Sequence, residues 1–500
     1  MTRDVVVIGA GVSGMTSAIV MARHGYRVTL LEKAGRTAPL LRGFSREGVH
    51  FDTGFHYTGG MGRGEPLDLF LRYLGLSGRV KPFPFRESGF DVLRCRKEGF
   101  EFHFPSGYEP IRERLTEAFP REKGAVEEYL RRVKATLESV PYLNPGKTLD
   151  SGFTLGRVLG PTLKDTLDSL TDDPLLKAVL SMHCLLYGVS PEEVSFLQHA
   201  CIVGSYYLSA CGIEGGGRGL ARGFDERLED LGVDVRCGGE VAGLTVNSRG
   251  ELSGARLADG TFLPCGGCIA TVHPRLLLDM VPSASFRPVY RKRIEGLEET
   301  VSAFMLYSVS DTPIPSLARR NLFVFPSADA IHGLGGRTLD ESPLYITAAY
   351  RDGGGEPRGF IGITPTLPER TRKWEGSAAG RRPEEYLSFK RDLVARIQRL
   401  VENACPEFDG ATRPVEGSTP LTLRDFYNTP LGGLYGAKHK AGQYNPGSTT
   451  RIKGLFLAGQ AVTSPGILGA VLSGFLACGN ILGHDILIKE LAACRQEESS

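Results

Sequence analysis

The chain opens on an alternation of short apolar runs and a helical repeat. Val5-Val6-Val7-Ile8 is an unbroken β-branched run, the pattern of a strand buried on both faces of a parallel sheet. Met15, Ala18, Ile19 and Ala22 then recur on one helical face until His24-Gly25 ends the helix, and Tyr26 to Leu31 reads as a second strand. Close to the other end, Gly454-Leu455-Phe456-Leu457-Ala458-Gly459-Gln460 is a buried strand ending in a polar residue, and Gly466-Ile467-Leu468-Gly469-Ala470-Val471 opens a helix with small residues. Between these ends the pattern predicts a helix from Leu220 to Leu231, a strand over Gly232 to Arg236, and short strands from Leu244 to Ala270 broken by turns at Asn247 to Gly250 and Asp259-Gly260. It also predicts helices over Ile111 to Phe119, Ala125 to Val140, Leu175 to Leu186 and Glu384 to Ala404, and strands over Ala303 to Val309 and Leu344 to Tyr350. Turns are expected at Glu341 to Pro343 and Arg351 to Gly355, and a low-complexity tail over Gln496 to Ser500.

The turn after the first strand is Gly9-Ala10-Gly11-Val12-Ser13-Gly14. Gly9 permits the tight turn, Gly11 lets the backbone approach a diphosphate, and Gly14 lets the helix pack on the strand. The free N–H groups at Val12, Ser13 and Gly14 and the helix dipole favour an anion there. Glu32 stands eighteen residues after Gly14 at the end of the next strand, where a carboxylate accepts from adenosine ribose hydroxyls and repels a 2′-phosphate. Lys33 begins the loop that follows.

NAD and FAD share this fingerprint. A reductase with its own nicotinamide domain carries a second strand-glycine-helix unit, and Gly215-Gly216-Gly217-Arg218-Gly219 follows no apolar strand in the pattern. Gly459, Gln460 and the helix start at Gly469, Ala470 and Val471 instead suit a ribityl chain and the pyrimidine edge of a flavin. The expected cofactor is FAD, held by both ends of the chain. Chemistry belongs beside the ring, where substrate is held on one face and water excluded. Gly54 would let backbone approach the ring and bring His56 and Tyr57 near it, as candidates for proton transfer or as hydrogen-bonded wall residues. Tyr435 and His439 are second candidates, drawn toward the site by the segment before Gly459. His50 reads as structural. Phe323, Phe325, Tyr345 and Tyr350 read as tunnel lining or sheet core.

Four motifs carry a resemblance to a known family: Gly9 to Glu32, Gly48-Val49-His50-Phe51-Asp52-Thr53-Gly54-Phe55-His56-Tyr57, Gly215 to Val241, and Leu434-Tyr435-Gly436 through Gly483. The chain resembles the phytoene desaturase superfamily of FAD-dependent, amine-oxidase-like flavoproteins, and within it the branch of carotenoid isomerases and retinol saturases. The resemblance implies an α/β (α+β) fold, a Rossmann-type FAD-binding domain with an inserted mixed sheet-plus-helix substrate domain. It implies that Val241 holds adenine through backbone groups. It implies an apolar or lipid substrate whose carbon–carbon double bonds are saturated, desaturated or isomerised, with an electron donor or acceptor that the chain does not identify. The chain departs from the family at Lys33 to Pro39, where relatives have Gly-Gly, and at Gln460, where many carry an acid. Two alternatives stand beside this reading: flavin amine oxidase-type oxidation of a small molecule, and a prenyl-binding escort protein. Escorts lack the glycine and ribose-acid motifs that this chain keeps.

At 500 residues the chain exceeds one core. The expected division is a discontinuous FAD-binding domain over 1-75, 212-285 and 418-490 and a substrate-binding domain over 76-211 and 286-417. A net charge of +2 gives no basis for nucleic acid binding. Ten scattered cysteines fit a reducing compartment, and Arg3-Asp4 directly before the first strand argues against a signal peptide, so a cytoplasmic enzyme with possible peripheral membrane contact is expected. Cys265-Gly266-Gly267-Cys268 has no second cysteine pair or nearby histidine, so no metal is expected there. The uncharged stretch Thr463 to Gly483 is broken by Ser473, Gly474, Gly479 and Asn480 and reads as a buried cofactor helix.

Overall fold

A computed structural model describes residues 4–146, 160–351 and 354–496. The β-branched first strand, Asp4–Ile8, lies at the centre of a five-stranded parallel sheet in the order Asp234–Cys237, Arg27–Glu32, Asp4–Ile8, Gly267–Ala270, Leu455–Leu457. The register places Val5 opposite both Val28 and Gly267, and Ile269 opposite Phe456. Parallel neighbours need covered faces, which accounts for the near-continuous apolar character of the inner strands. One cover is the pair of helices Val12–Arg23 and Gly466–Leu482, drawn from opposite ends of the sequence. They cross closely because Gly474 carries no side chain: an added Cβ would lie 2.9 Å from Thr16 Cγ2 and 3.0 Å from Ser13 O. The other cover includes a three-stranded antiparallel meander, Val241–Val246, Leu252–Leu257 and Phe262–Pro264, which feeds the strand Gly267–Ala270.

A second, nine-stranded sheet runs in the order Thr412–Ser418, Ser302–Ser310, Pro357–Thr366, Leu344–Arg351, Asn321–Phe325, Asp91–Cys95, Phe100–Phe104, with Phe44–Arg46 and Val49–Phe51 attached beside Leu344–Arg351. Through the pairing of His50 with Tyr350, a segment from the N-terminal seventy-five residues joins this sheet. The helix Glu384–Ala404 packs its Leu393, Ile397 and Val401 face against it. Helices Tyr108–Ala118, Lys123–Ser139, Pro174–Ser181 and Phe196–Leu208 lie around a further apolar core. The predicted helix over Leu175 to Leu186 is thus two pieces, because the chain tightens into a 3₁₀ turn over Met182–Leu186.

One expectation is corrected. Gly215 to Gly219 does follow an apolar strand, Ala210–Ile213, which is buried throughout, and Gly215 in the left-handed region starts the helix Gly216–Asp230. Its strand pairs antiparallel with Thr58–Gly59 and Pro82–Pro84 and not with the parallel sheet, so it adds no second dinucleotide unit. Only four residues long, with cysteine and glycine inside it, the strand gave too short an apolar run to register. The helix Gly466–Leu482 is buried along most of its length, and among the described residues no helix is long and apolar enough to cross a membrane. Cys265 and Cys268 are buried free thiols. Part of the expected Arg351 to Gly355 turn (352–353) and of the terminal tail (497–500) lies outside the described residues.

Candidate active site

The parallel sheet ends in a cavity of about 1000 Å³ whose wall includes Gly9, Gly11, Val12, Ser13, Glu32 and Lys33 from the first turn and Gly459, Gln460 and Ala470 from the far end of the chain. Gly9 takes a φ of +95°, and an added Cβ there would lie 2.5 Å from Thr271 Oγ1. At Gly14 an added Cβ would lie 1.8 Å from Gly9 O, so the helix Val12–Arg23 can sit this close only with glycine there. Gly11 faces open space, with no atom within 4 Å of an added Cβ. That leaves a cradle in which a diphosphate can reach the unbonded N–H groups of the helix start. Glu32 is buried at the edge of the cradle and accepts from Ala10 N–H at Oε2 (2.9 Å) and from Ala34 N–H at Oε1 (2.8 Å). Each oxygen keeps a lone pair for a ribose hydroxyl. Val241, with Gly239 and Glu240, lines the cavity beyond Glu32.

The departing loop after Lys33 returns to the cradle: Ala38 N–H donates to Ala10 O (2.8 Å), and Lys33, Ala34, Ala38 and Pro39 all line the cavity. On the opposite side Ser13 Oγ donates to Ala470 O (2.7 Å), tying the two helix starts together. Gly459, at a φ of +119°, donates its N–H to Ser473 Oγ (2.9 Å), so the last strand turns toward the cavity with its backbone anchored. These features fit a bound FAD, with a glycine cradle, a buried carboxylate lining the wall and a second helix start at the far end of one cavity.

Away from the cradle the wall changes character. Gly54, His56, Tyr57, Leu185, Leu186, Tyr206, Val301, Met305, Tyr345, Ile363, Leu434 and Tyr435 line this part. His56 packs against Tyr345 with ring centroids 5.9 Å apart. Burial holds its pKa down to about 4, against the opposing pull of the Asp52 carboxylate. The ring is therefore neutral near pH 7, a donor at one nitrogen and an acceptor at the other. Tyr57 lines the cavity, but its hydroxyl donates to Asp91 Oδ2 (2.6 Å), a fully buried carboxylate that also accepts from Asn321 Nδ2 (2.8 Å) and has His183 Nε2 at 3.0 Å. Its proton is committed to a group outside the cavity wall, and the burial and the Asp91 charge push its pKa well up.

Of the residues singled out from sequence, Gly9, Gly11, Val12, Ser13, Glu32, Lys33, Gly54, His56, Tyr57, Val241, Tyr435, Gly459, Gln460 and Ala470 meet at this cavity. Gly14, Gly469, Val471 and His439 do not line it. Gly14 and Gly469 act through close packing, an added Cβ at Gly469 falling 2.4 Å from Ser464 O, and Val471 is core. His439 stands behind the wall, where its Nε2–H donates to Gln460 O (2.7 Å) and Asn445 Nδ2 approaches Nδ1 at 3.4 Å. Burial lowers its pKa to about 4, so it braces the Gly459-Gln460 turn as a neutral ring. His50 is buried in the Val49–Phe51 strand, and Phe323 and Phe325 are sheet core, whereas Tyr345 faces the cavity. Thr271, His273, Tyr206 and Met305 were missed. Each is brought in by a strand or helix end whose direction only tertiary structure reveals, and no local motif marks them.

Comparison with known proteins agrees with this geometry. The human protein All-trans-retinol 13,14-reductase is 26% identical over 526 residues, covering 96% of this chain and 85% of the relative. Hydroxyneurosporene desaturase of Cereibacter sphaeroides is 26% identical over 523 residues, covering 96% and 97%. The crystal structure of an oxidoreductase from Methanosarcina mazei superposes with a TM-score of 0.67 at 15% identity, over 94% of this chain and 98% of that one. The family model for flavin containing amine oxidoreductases matches residues 12–482. The chain therefore belongs to the flavin containing amine oxidoreductase family, and is an FAD-dependent oxidoreductase.

Proposed function

We propose that the protein transfers hydride between FAD and a carbon–carbon bond of a polyene or other isoprenoid lipid, in the manner of a saturase or desaturase. The observation that carries this reading is the continuity of one cavity from the glycine cradle to a wall of Leu185, Leu186, Val301, Met305, Ile363 and Leu434. Such a wall gives an apolar chain its binding energy. The full-length similarity to a retinol reductase and a carotenoid desaturase supports the same class.

Bound FAD supplies hydride exchange at its reactive nitrogen. The chain's own residues hold the cofactor through the Gly9 to Gly14 cradle, Glu32, Val241 and the Gly459-Gln460 turn, and exclude water with the apolar wall. His56, neutral and beside Tyr345, is placed to accept or return one proton through a ring nitrogen as the substrate carbon gains or loses hydride. On this reading, segments 1-75, 212-285 and 418-490 carry the cofactor and 76-211 and 286-417 carry most of the substrate wall. Anaerobic mixing of reduced and oxidised enzyme with retinol, a carotene and a polyprenol tests the proposal. Reoxidation or bleaching of the flavin, with a polyene product shifted in absorbance, is expected with at least one. Silence with all three, together with hydrogen peroxide release when amines are supplied to the enzyme in air, would replace it with amine oxidation.

A further inference from the structure

We infer that Tyr57, held in place by Asp91 and backed by Phe85, is the end stop of the substrate cavity and limits how much of an isoprenoid chain it can bury; this deepens the function proposed above and rests on it. The cavity of about 1000 Å³ has to hold FAD and substrate together. A site for one small ligand takes roughly 300–1,000 Å³, so the room beside the cofactor suits a short chain. A second pocket of about 610 Å³ opens on the protein surface, lined by the buried Phe85, Ala210 and Cys211 and by the exposed Glu113 and Glu117. Tyr57 lines the first cavity and Phe85 the second, and the two rings stack with centroids 5.4 Å apart and planes 16° from parallel. The end of the helix Phe196–Leu208 spans the same partition, with Tyr206 lining the cavity and Leu208 the second pocket. At this place the wall is two rings thick.

The two rings are fixed in different ways. Tyr57 donates its hydroxyl to Asp91 Oδ2 (2.6 Å), and Asp91 in turn accepts from Asn321 Nδ2 (2.8 Å) and has His183 Nε2 at 3.0 Å. Asp91, Asn321 and His183 are fully buried, so the Tyr57 ring is tethered to the protein interior. Phe85 is held by its backbone N–H, which donates to Ala210 O (2.9 Å), and by stacking on Tyr57 and on Phe83, whose ring centroid is 6.1 Å away. An apolar chain gains affinity with every carbon it takes out of water and makes no directional contact, so it slides inward until something stops it. Tyr57 is that obstacle. Passing it would break the bond to a buried carboxylate or drive the ring into Phe85. Carbons beyond that depth stay toward the open side of the cavity, where the lining residue Phe426 is 67% exposed. The same arrangement gives Asp91, Asn321 and His183 a role, as positioning residues that act through Tyr57.

Titrating the oxidised FAD enzyme with geraniol, farnesol, geranylgeraniol and solanesol, and following the flavin absorbance, tests this, with the affinity ratio of the longest to the shortest chain as the readout. In the wild type, affinity is expected to rise along the series and then level off. Tyr57→Ala combined with Phe85→Ala joins the two pockets, and the ratio is expected to grow about tenfold, because carbons left in water in the wild type become buried. Phe85→Ala alone keeps the Tyr57 bond to Asp91 but removes the backing, so it should raise the ratio by a smaller factor, and it decides the matter if the double variant fails to fold. Flavin content checks the fold of each variant, and the ratio cancels any loss of wall contact common to all chains. A ratio unchanged from the wild type in every folded variant overturns the end stop and leaves the proposed reaction standing. No spectral response to any of the four, nor to retinol and a carotene, removes the isoprenoid reading and the end stop together.

Discussion

At the scale of single residues, the site depends on side chains that satisfy backbone and on rings kept neutral by burial. Glu32 holds two N–H groups, of Ala10 and Ala34, and keeps lone pairs that the proposed ribose contact would use. Glu32→Ala orphans both donors and removes the ribose contact, so apparent FAD affinity should fall on the order of 10- to 100-fold, read as loss of flavin absorbance on dilution or gel filtration. Glu32→Gln, which keeps an acceptor oxygen, should lose less. The buried histidines add a pH effect. His199, hydrogen-bonded by Tyr129 and Tyr187, has its pKa held down to about 3 by burial, and His439 is held at about 4. Both lie below the value of an exposed histidine. As the pH falls through about 6.5, the unfolded chain takes up protons that the folded one refuses. Stability is therefore complete above that pH and declines toward pH 4, by an amount on the order of 1–2 kcal/mol per histidine at pH 5. Denaturant unfolding at pH 7.5 and pH 5 checks this, and His439→Gln should flatten the dependence by about one proton. An unchanged slope in that variant would remove His439 from the account.

Between elements, the decisive contact is the crossing of Val12–Arg23 with Gly466–Leu482, because it aims two helix starts at one cavity. Gly474→Val would drive carbon atoms against Thr16 and the Ser13 carbonyl, part the helices, and loosen the Ser13 Oγ to Ala470 O bond at the mouth of the cradle. Overpacking of this kind costs about 1–3 kcal/mol. The variant should show both a lowered Tm and weakened FAD retention, and a lowered Tm with full flavin occupancy would mean that the crossing serves the core alone. How much of these elements the chain discloses follows from the length and purity of each pattern. The first strand and the helix Glu384–Ala404 are legible because one is an uninterrupted β-branched run and the other has three turns or more of regular apolar spacing. Ala210–Ile213 is not, since four residues with a glycine among them carry no period, and Met182–Leu186 is not, since 3₁₀ and α spacing differ too little over five residues. In the site, the glycine positions are legible because backbone geometry demands them. Tyr206 is not, because it sits on a helix that looks like core from sequence and reaches the cavity only through packing, and for Tyr345 the alternation of its strand leaves tunnel lining and sheet core equally open.

Across the whole molecule, the cavity joins parts of the chain with no local reason to associate: the Gly9 turn, the Gly239 to Val241 segment, Met305 and Tyr345 of the large sheet, and the Gly459-Gln460 turn all contribute wall. Within the apoprotein, polar ties beyond the sheet ladder join these turns: Ser13 Oγ donates to Ala470 O, and Gly239 N–H donates to Glu32 O. A ligand that touches all of them binds the folded state alone and stabilises it by mass action, by about 4 kcal/mol when free FAD stands a thousandfold above its dissociation constant. Stripping the flavin should therefore lower Tm, and adding FAD back should restore it in a concentration-dependent way. The distribution of the effect distinguishes this from general tightening. Hydrogen exchange in the apoprotein should rise together at 9–14, 239–242 and 459–470, three segments remote in sequence, and fall together on reconstitution, while the helix Glu384–Ala404, which packs away from the cavity, should be unaffected. Protection returning at 9–14 alone would mean that the C-terminal turn does not hold the cofactor, and the shared-site account of the two chain ends would fail with it.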